Sequence, residues 1–176
     1  MVSRRPVNVT QPREPNRAKV ILLGDVSVGK TALAERYVND VFNARQDATI
    51  GMDFYSKDLS LNRKLVLWDA SGRPEYVEVR NEFYKDVQAI ILIFDISNKR
   101  SFETLDMWFR EAGKYTTSPP LLIVAGNKAD LAGRRAVTKA EAESWASSRR
   151  YDYFEVSASS GQSVNQLFDA VVSRVM

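Results

Sequence analysis

The 176-residue chain contains no cysteine and no histidine. The first absence excludes disulfides, thiolate metal sites, thiol nucleophiles, and prenyl or palmitoyl attachment to this chain. The second removes the commonest general base. Chemistry here therefore rests on carboxylates, amides, hydroxyls, cations and a metal ion. No apolar run approaches the ~18 residues that cross a bilayer, and no apolar h-region marks a secretory signal. Charge of one sign is also scarce: 25 Lys and Arg stand against 22 Asp and Glu, a net +3. The basic residues are scattered and often flanked by acids, so the sequence pI of about 9.2 does not make a nucleic-acid binder.

What is present is an ordinary globular composition, 44% apolar and 27% charged, long enough for one domain with a proper core. Residues 1–17 are polar and hold Pro6, Pro12 and Pro15 with Arg4, Arg5, Arg13 and Arg17. They read as a flexible arm, a solvated tail in preference to a basic docking segment. The domain then runs over 18–176. Strands are expected at Lys19–Leu23, Met52–Leu59, Lys64–Trp68, Ala89–Phe94, Leu121–Ala125 and Tyr153–Val156. Helical patterns alternate with them. Ser101 is expected to cap one, Thr138 with Glu141 a second, and Ser163 with Gln166 a third. Residues 59–64 can turn an antiparallel hairpin. The rest is βαβ, which predicts an α/β fold: a six-stranded, mostly parallel sheet with one antiparallel edge strand and helices on both faces.

The strongest motif is Gly24-Asp25-Val26-Ser27-Val28-Gly29-Lys30-Thr31. It fits the phosphate-loop pattern G-x-x-x-x-G-K-[ST] between an apolar strand and a helix. Glycines let backbone N–H groups curl around phosphate oxygens. Lys30 would neutralise the outer phosphates, and the Thr31 hydroxyl would ligate Mg²⁺. Downstream, Asn127-Lys128-Ala129-Asp130 follows a strand as N-K-x-D. A carboxylate at Asp130 can accept the ring N–H and the amine N–H of guanine, whereas adenine offers no such pair. Asn127 would brace this loop against the phosphate loop, and the Lys128 stem would cover the base. In Ser157-Ala158-Ser159 the Ala158 N–H can donate to the guanine carbonyl. Asp69 ends a strand and can hold Mg²⁺ through water. Thr49 can add a second hydroxyl, and Gly72 has no side chain to block its N–H from the γ-phosphate.

With these motifs in place, residues 19–176 resemble a small GTPase of the Ras superfamily with a phosphate-loop G domain. Ala48-Thr49-Ile50-Gly51-Met52-Asp53-Phe54, Trp68-Asp69 and Phe83-Tyr84 resemble the Rab branch. The stretch Glu78-Val79-Arg80-Asn81-Glu82-Phe83-Tyr84-Lys85-Asp86 is similar to the RJL family of Rab-like GTPases, which often carry a J domain. No His-Pro-Asp signature of a J domain occurs in these residues; a truncated chain and a member lacking that domain both stay open. The resemblance implies GTP, GDP and Mg²⁺ as cofactors. It implies that Phe42 packs across the guanine and that Ala32 lies near base and sugar. It implies that Phe54, Trp68 and Phe83 report nucleotide state to effector proteins, with an exchange factor or activating protein as further partners. A monomer without a lipid anchor, inside the cell and in the cytoplasm, with nuclear or flagellar association, is the corresponding setting.

The chain departs from the family pattern where hydrolysis is controlled. Arg73 stands where the water-positioning Gln is usual, and arginine has donors but no acceptor. Pro74 directs the Arg73 backbone away from helix. Val26 occupies a phosphate-loop position where Gly or Ser is frequent, and would crowd the γ-phosphate. Ala70-Ser71 and Ser159 replace Thr-Ala and Lys, milder changes. Three readings follow: a switch with weak intrinsic GTP hydrolysis, a GTP-loaded binding module that essentially does not hydrolyse, or, more weakly, a phosphate-loop ATPase. Arg73 as a built-in arginine finger is a lesser variant, because water would still need positioning.

Overall fold

A computed structural model describes residues 16–60 and 62–176. The expected arm over residues 1–17 lies outside them except for Asn16 and Arg17, which open the first strand. The strands are β1 (Asn16–Leu23), β2 (Met52–Ser60), β3 (Arg63–Ala70), β4 (Ala89–Asp95), β5 (Leu121–Asn127) and β6 (Asp152–Glu155). The helices are α1 (Lys30–Asn39), α2 (Val77–Phe83), α3 (Lys99–Glu103), α4 (Leu105–Tyr115), α5 (Lys139–Ser148) and α6 (Val164–Val175). Sheet order is β2-β3-β1-β4-β5-β6. Among the described residues only β2 and β3 pair antiparallel, as the expected hairpin; the other neighbours are parallel.

Strand alternation divides the core in two. Val20, Leu22, Ile91, Ile93, Ile123 and Ala125 point to the face covered by α1 and α6, where Tyr37 stacks on Phe168 at 4.1 Å between ring centroids. Ile21, Leu23, Ile90, Leu92 and Val124 point to the other face, against Phe102, Leu105, Trp108, Ala112, Ala142 and Ala146 of α3 to α5. β4 is buried at every residue, which is why it reads as a continuous apolar run. The parallel run of these strands places the carboxyl ends of β1, β3, β5 and the segment after β6 along one rim, where ligands bind in such sheets.

Two expected caps differ. Asn98, not Ser101, caps α3: its extended backbone lets its side chain accept from the Arg100 N–H at 3.1 Å. Ser101 is buried and committed elsewhere; its hydroxyl donates to the Asn98 carbonyl at 2.8 Å and accepts from the Asp95 N–H at 2.9 Å. The stripe from Phe102 to Ala112 is accordingly broken into two helices at Thr104. Ser163 precedes α6 with φ 56°, a left-handed backbone from which its hydroxyl makes no capping bond. Thr138 caps α5 as expected, accepting from the Glu141 N–H at 3.1 Å.

Candidate functional site

The phosphate loop joins β1 to α1. Lys30 is buried and folds back over the loop, donating to the Gly24 carbonyl at 2.8 Å and the Asp25 carbonyl at 2.7 Å. Burial lowers its pKa to about 8, against the opposing pull of the Asp69 and Asp25 carboxylates. Gly29 is fixed by shape: its φ is 94°, and a Cβ there would lie 2.3 Å from the Asn127 Nδ2.

Beside Lys30, three oxygens converge. The Thr31 hydroxyl donates to Asp69 Oδ2 at 2.5 Å, the Thr49 hydroxyl lies 3.1 Å from the same oxygen, and the two hydroxyls are 3.0 Å apart. Asp69 is 0% exposed, and its Oδ1 has no hydrogen-bond partner among the described residues. Burial pushes its carboxyl up, while the two threonine hydroxyls and Lys30 hold it down. A carboxylate with an unsatisfied oxygen and two hydroxyls is a hard donor set that fits a divalent cation such as Mg²⁺, which takes one or two protein ligands and completes its shell with water and phosphate.

Asn127, 1% exposed, ties the phosphate loop to the loop after β6. Its Nδ2 donates to the Val28 carbonyl at 2.9 Å, and its Oδ1 accepts from the Ala158 N–H at 3.2 Å. Lys128 donates to the Ser27 carbonyl at 2.7 Å and pairs with Asp95 at 2.7 Å, so its stem bridges the two loops. Asp130 Oδ1 accepts from the Ser157 hydroxyl at 2.7 Å.

A cavity of about 490 Å³ lies between the motifs. Val26, Ser27, Gly29, Lys30, Thr31, Ala32 and Phe42 line it. So do Thr49, Gly72, Arg73, Asn127, Lys128, Asp130, Ala158 and Ser159. Gly24, Asp25, Val28, Asp69 and Ser157 do not line it; they shape or support the wall. Val26 is 43% exposed at the mouth. Arg73 is extended, with φ −81° and ψ 139°, and its guanidinium lies 3.7 Å from Glu75. Gly72 packs its α-carbon side on the phosphate loop, where a Cβ would lie 2.5 Å from the Val26 nitrogen. Phe54 of β2, Trp68 of β3 and Phe83 of α2 form a separate row, with centroids 5.8 Å and 4.8 Å apart.

Two contributors carry no sequence signal. Arg36 of α1 donates to the carbonyls of Ala158 at 2.7 Å and Ser159 at 2.8 Å, adding a second hold on that loop besides Asn127. Arg80 lies in a polar stretch of α2 and is nonetheless buried. Trp108 reads from spacing as core, and it is, but its indole N–H also donates to Asp25 Oδ1 at 2.7 Å.

The model of the Ras family matches residues 19–176. Among curated proteins, DnaJ homolog subfamily C member 27 of Danio rerio is 38% identical, over 96% of this chain and 66% of its own length. Its Xenopus laevis counterpart 27-B is 38% identical over 93% and 63%, and that of Homo sapiens 36% identical over 92% and 63%. The chain thus spans under two thirds of the length of these relatives. Among the described residues no helix is long and apolar enough to cross a membrane. The chain belongs to the Ras family of small GTPases, and its relatives there are Rab-like proteins of the RJL group.

Proposed function

We propose that the chain is a guanine-nucleotide switch that holds GTP or GDP with Mg²⁺ and hydrolyses GTP slowly. The observation that carries this is one cavity shared by Lys30, Thr31 and Thr49 at one end and Asp130 at the other. Its volume of about 490 Å³ suits a nucleotide. Asp130, positioned by Ser157, presents its other oxygen to the guanine edge. Phe42 and the Lys128 stem flank the base. Asn127 keeps base loop and phosphate loop at a fixed separation. Backbone N–H groups of the phosphate loop and Lys30 bind the phosphates. Thr31 and Thr49 would hold the metal directly and Asp69 through water, and the metal would supply charge neutralisation to the phosphates. Thr49 and Gly72 sense the terminal phosphate, and its loss releases the segments that carry them.

Slow turnover follows from two side chains at the cavity mouth. Arg73 offers donors only, so nothing at that position accepts a proton from the attacking water. Val26 crowds the same region. Unassisted small GTPases already turn over on the order of 10⁻⁴ s⁻¹. Another tenfold requires only ~1.4 kcal/mol of extra barrier. The limiting case is a GTP-loaded module that binds effectors through Phe54, Trp68 and Phe83, with an exchange factor or activating protein as a further partner.

Nucleotide released from the purified, denatured protein and identified by chromatography tests the binding: GTP or GDP is expected, and ATP or ADP would refute it. Single-turnover hydrolysis by the wild type and by Val26→Gly with Arg73→Gln tests the rate. The double variant should be faster by about tenfold or more; an unchanged rate would refute the roles given to Val26 and Arg73.

A further inference from the structure

Behind Gly72 lies a buried polar cluster that the nucleotide cavity does not use. Arg80 is 2% exposed. Its Nη1 donates to the Ser71 carbonyl at 2.9 Å and the Arg73 carbonyl at 2.7 Å, the two carbonyls that flank Gly72. Its Nε and Nη2 donate to the two carboxylate oxygens of Glu111 at 2.7 Å and 2.9 Å. Glu111 Oε1 also accepts from the Tyr84 hydroxyl at 2.7 Å. The guanidinium lies 4.9 Å from the centre of the Trp108 ring, and the Trp108 indole N–H donates to Asp25 of the phosphate loop at 2.7 Å.

These contacts form one continuous path from the phosphate loop through α4 to both sides of Gly72. The planar fork of arginine satisfies two carbonyls and a carboxylate at once, a pattern that the single ammonium of lysine cannot reproduce. A buried cation is costly without its partners, so the cluster holds as a unit. Gly72 sits between these two carbonyls and against the phosphate loop, where an added Cβ would lie 2.5 Å from the Val26 nitrogen.

We propose that Arg80 is a positioning residue that holds the Ser71–Arg73 backbone on the phosphate loop and so sets the preference for nucleoside triphosphate over diphosphate. The inference rests on the nucleotide-binding function proposed above and deepens it. The contacts of a diphosphate do not include the Gly72 N–H, whereas the terminal phosphate of a triphosphate needs it. A donor already held in place contributes affinity that a loose one loses to ordering. Loss of the clamp therefore affects the triphosphate selectively.

The test compares GTP and GDP affinities, by calorimetry with Mg²⁺, for the full chain and for Arg80→Lys. GTP affinity should fall about tenfold or more, and GDP affinity by less than about twofold. Equal losses for both, or no loss for either, would overturn the inference. If Arg80→Lys does not fold, the paired replacement Arg80→Met with Glu111→Leu removes the charges together and carries the same expectation. Amide exchange of Ser71, Gly72, Arg73, Glu75 and Tyr76 gives a readout that needs no ligand: it should accelerate in the variant, and unchanged protection overturns the clamp. A wild type that binds neither nucleotide contradicts the proposed function instead, and the exchange data then decide the clamp alone.

Discussion

Asn127→Ala is the perturbation that most directly probes how the two loops are joined. The side chain is buried and makes one bond to each loop, to the Val28 carbonyl at 2.9 Å and from the Ala158 N–H at 3.2 Å. Truncation removes a donor to Val28 and leaves the Ala158 amide, in a residue 3% exposed, without its acceptor. A lost hydrogen bond costs about 0.5–1.5 kcal/mol and an orphaned buried donor about 1–3 kcal/mol, together about 1.5–4.5 kcal/mol. With a urea slope of about 2 kcal/mol/M, the unfolding midpoint should fall by about 0.7–2.3 M. GTP and GDP should both bind more weakly and to a similar extent, because the bridge spans base and phosphate loops irrespective of the terminal phosphate. Urea titration of the nucleotide-free protein and calorimetry of the complexes measure the two effects. An unchanged midpoint, with unchanged affinity for both nucleotides, would refute the reasoning that this amide couples the loops.

Three further outcomes are expected. Asp130→Asn puts an amide where guanine needs an acceptor; GTP affinity should fall about 10²- to 10⁴-fold, and a direct titration showing no loss would contradict the assigned role. Arg135 donates to both carboxylate oxygens of Glu155, at 2.9 Å and 2.7 Å, and holds that carboxyl below its usual range. A depressed carboxyl stabilises the fold above its unfolded pKa and loses that contribution as pH falls through the folded value. Glu155→Gln should therefore cost about 1 kcal/mol at neutral pH, after allowance for solvent screening, and progressively less in acid below the ordinary carboxylate range; urea midpoints across pH check this, and a pH-independent cost would refute it. Phe168→Ala removes the ring stacked on Tyr37 and should cost about 3–5 kcal/mol in the same assay without altering the GTP-to-ATP affinity ratio.

The alternation of strand and helix was legible because each signal is local. β4 is an apolar run with both faces covered, and α6 carries its apolar stripe in the order in which the sheet receives it. The phosphate loop and N-K-x-D were legible for the same reason, since each puts its functional groups within a few consecutive residues. Their convergence on one cavity follows from parallel strands ending on one rim. What the sequence hid is long-range and polar. Nothing near Arg80 in the chain announces that it will be buried; its partners Glu111 and Trp108 come from α4, and the carbonyls it holds belong to another segment. Arg36 meets the Ala158 and Ser159 carbonyls only after α1 and the β6 loop have packed together. The caps erred through competition: Ser101 has the right chemistry, but Asn98 has the right backbone and Ser101 is held by β4.

The central claim is that Asp130 and Lys30 read the two ends of one guanine nucleotide. Competition binding of GTP and ATP to the same protein with Mg²⁺ tests it most directly. GTP should win by about 10³-fold or more, because adenine leaves the Asp130 carboxylate without its donors. Comparable affinities for the two nucleotides would contradict the account.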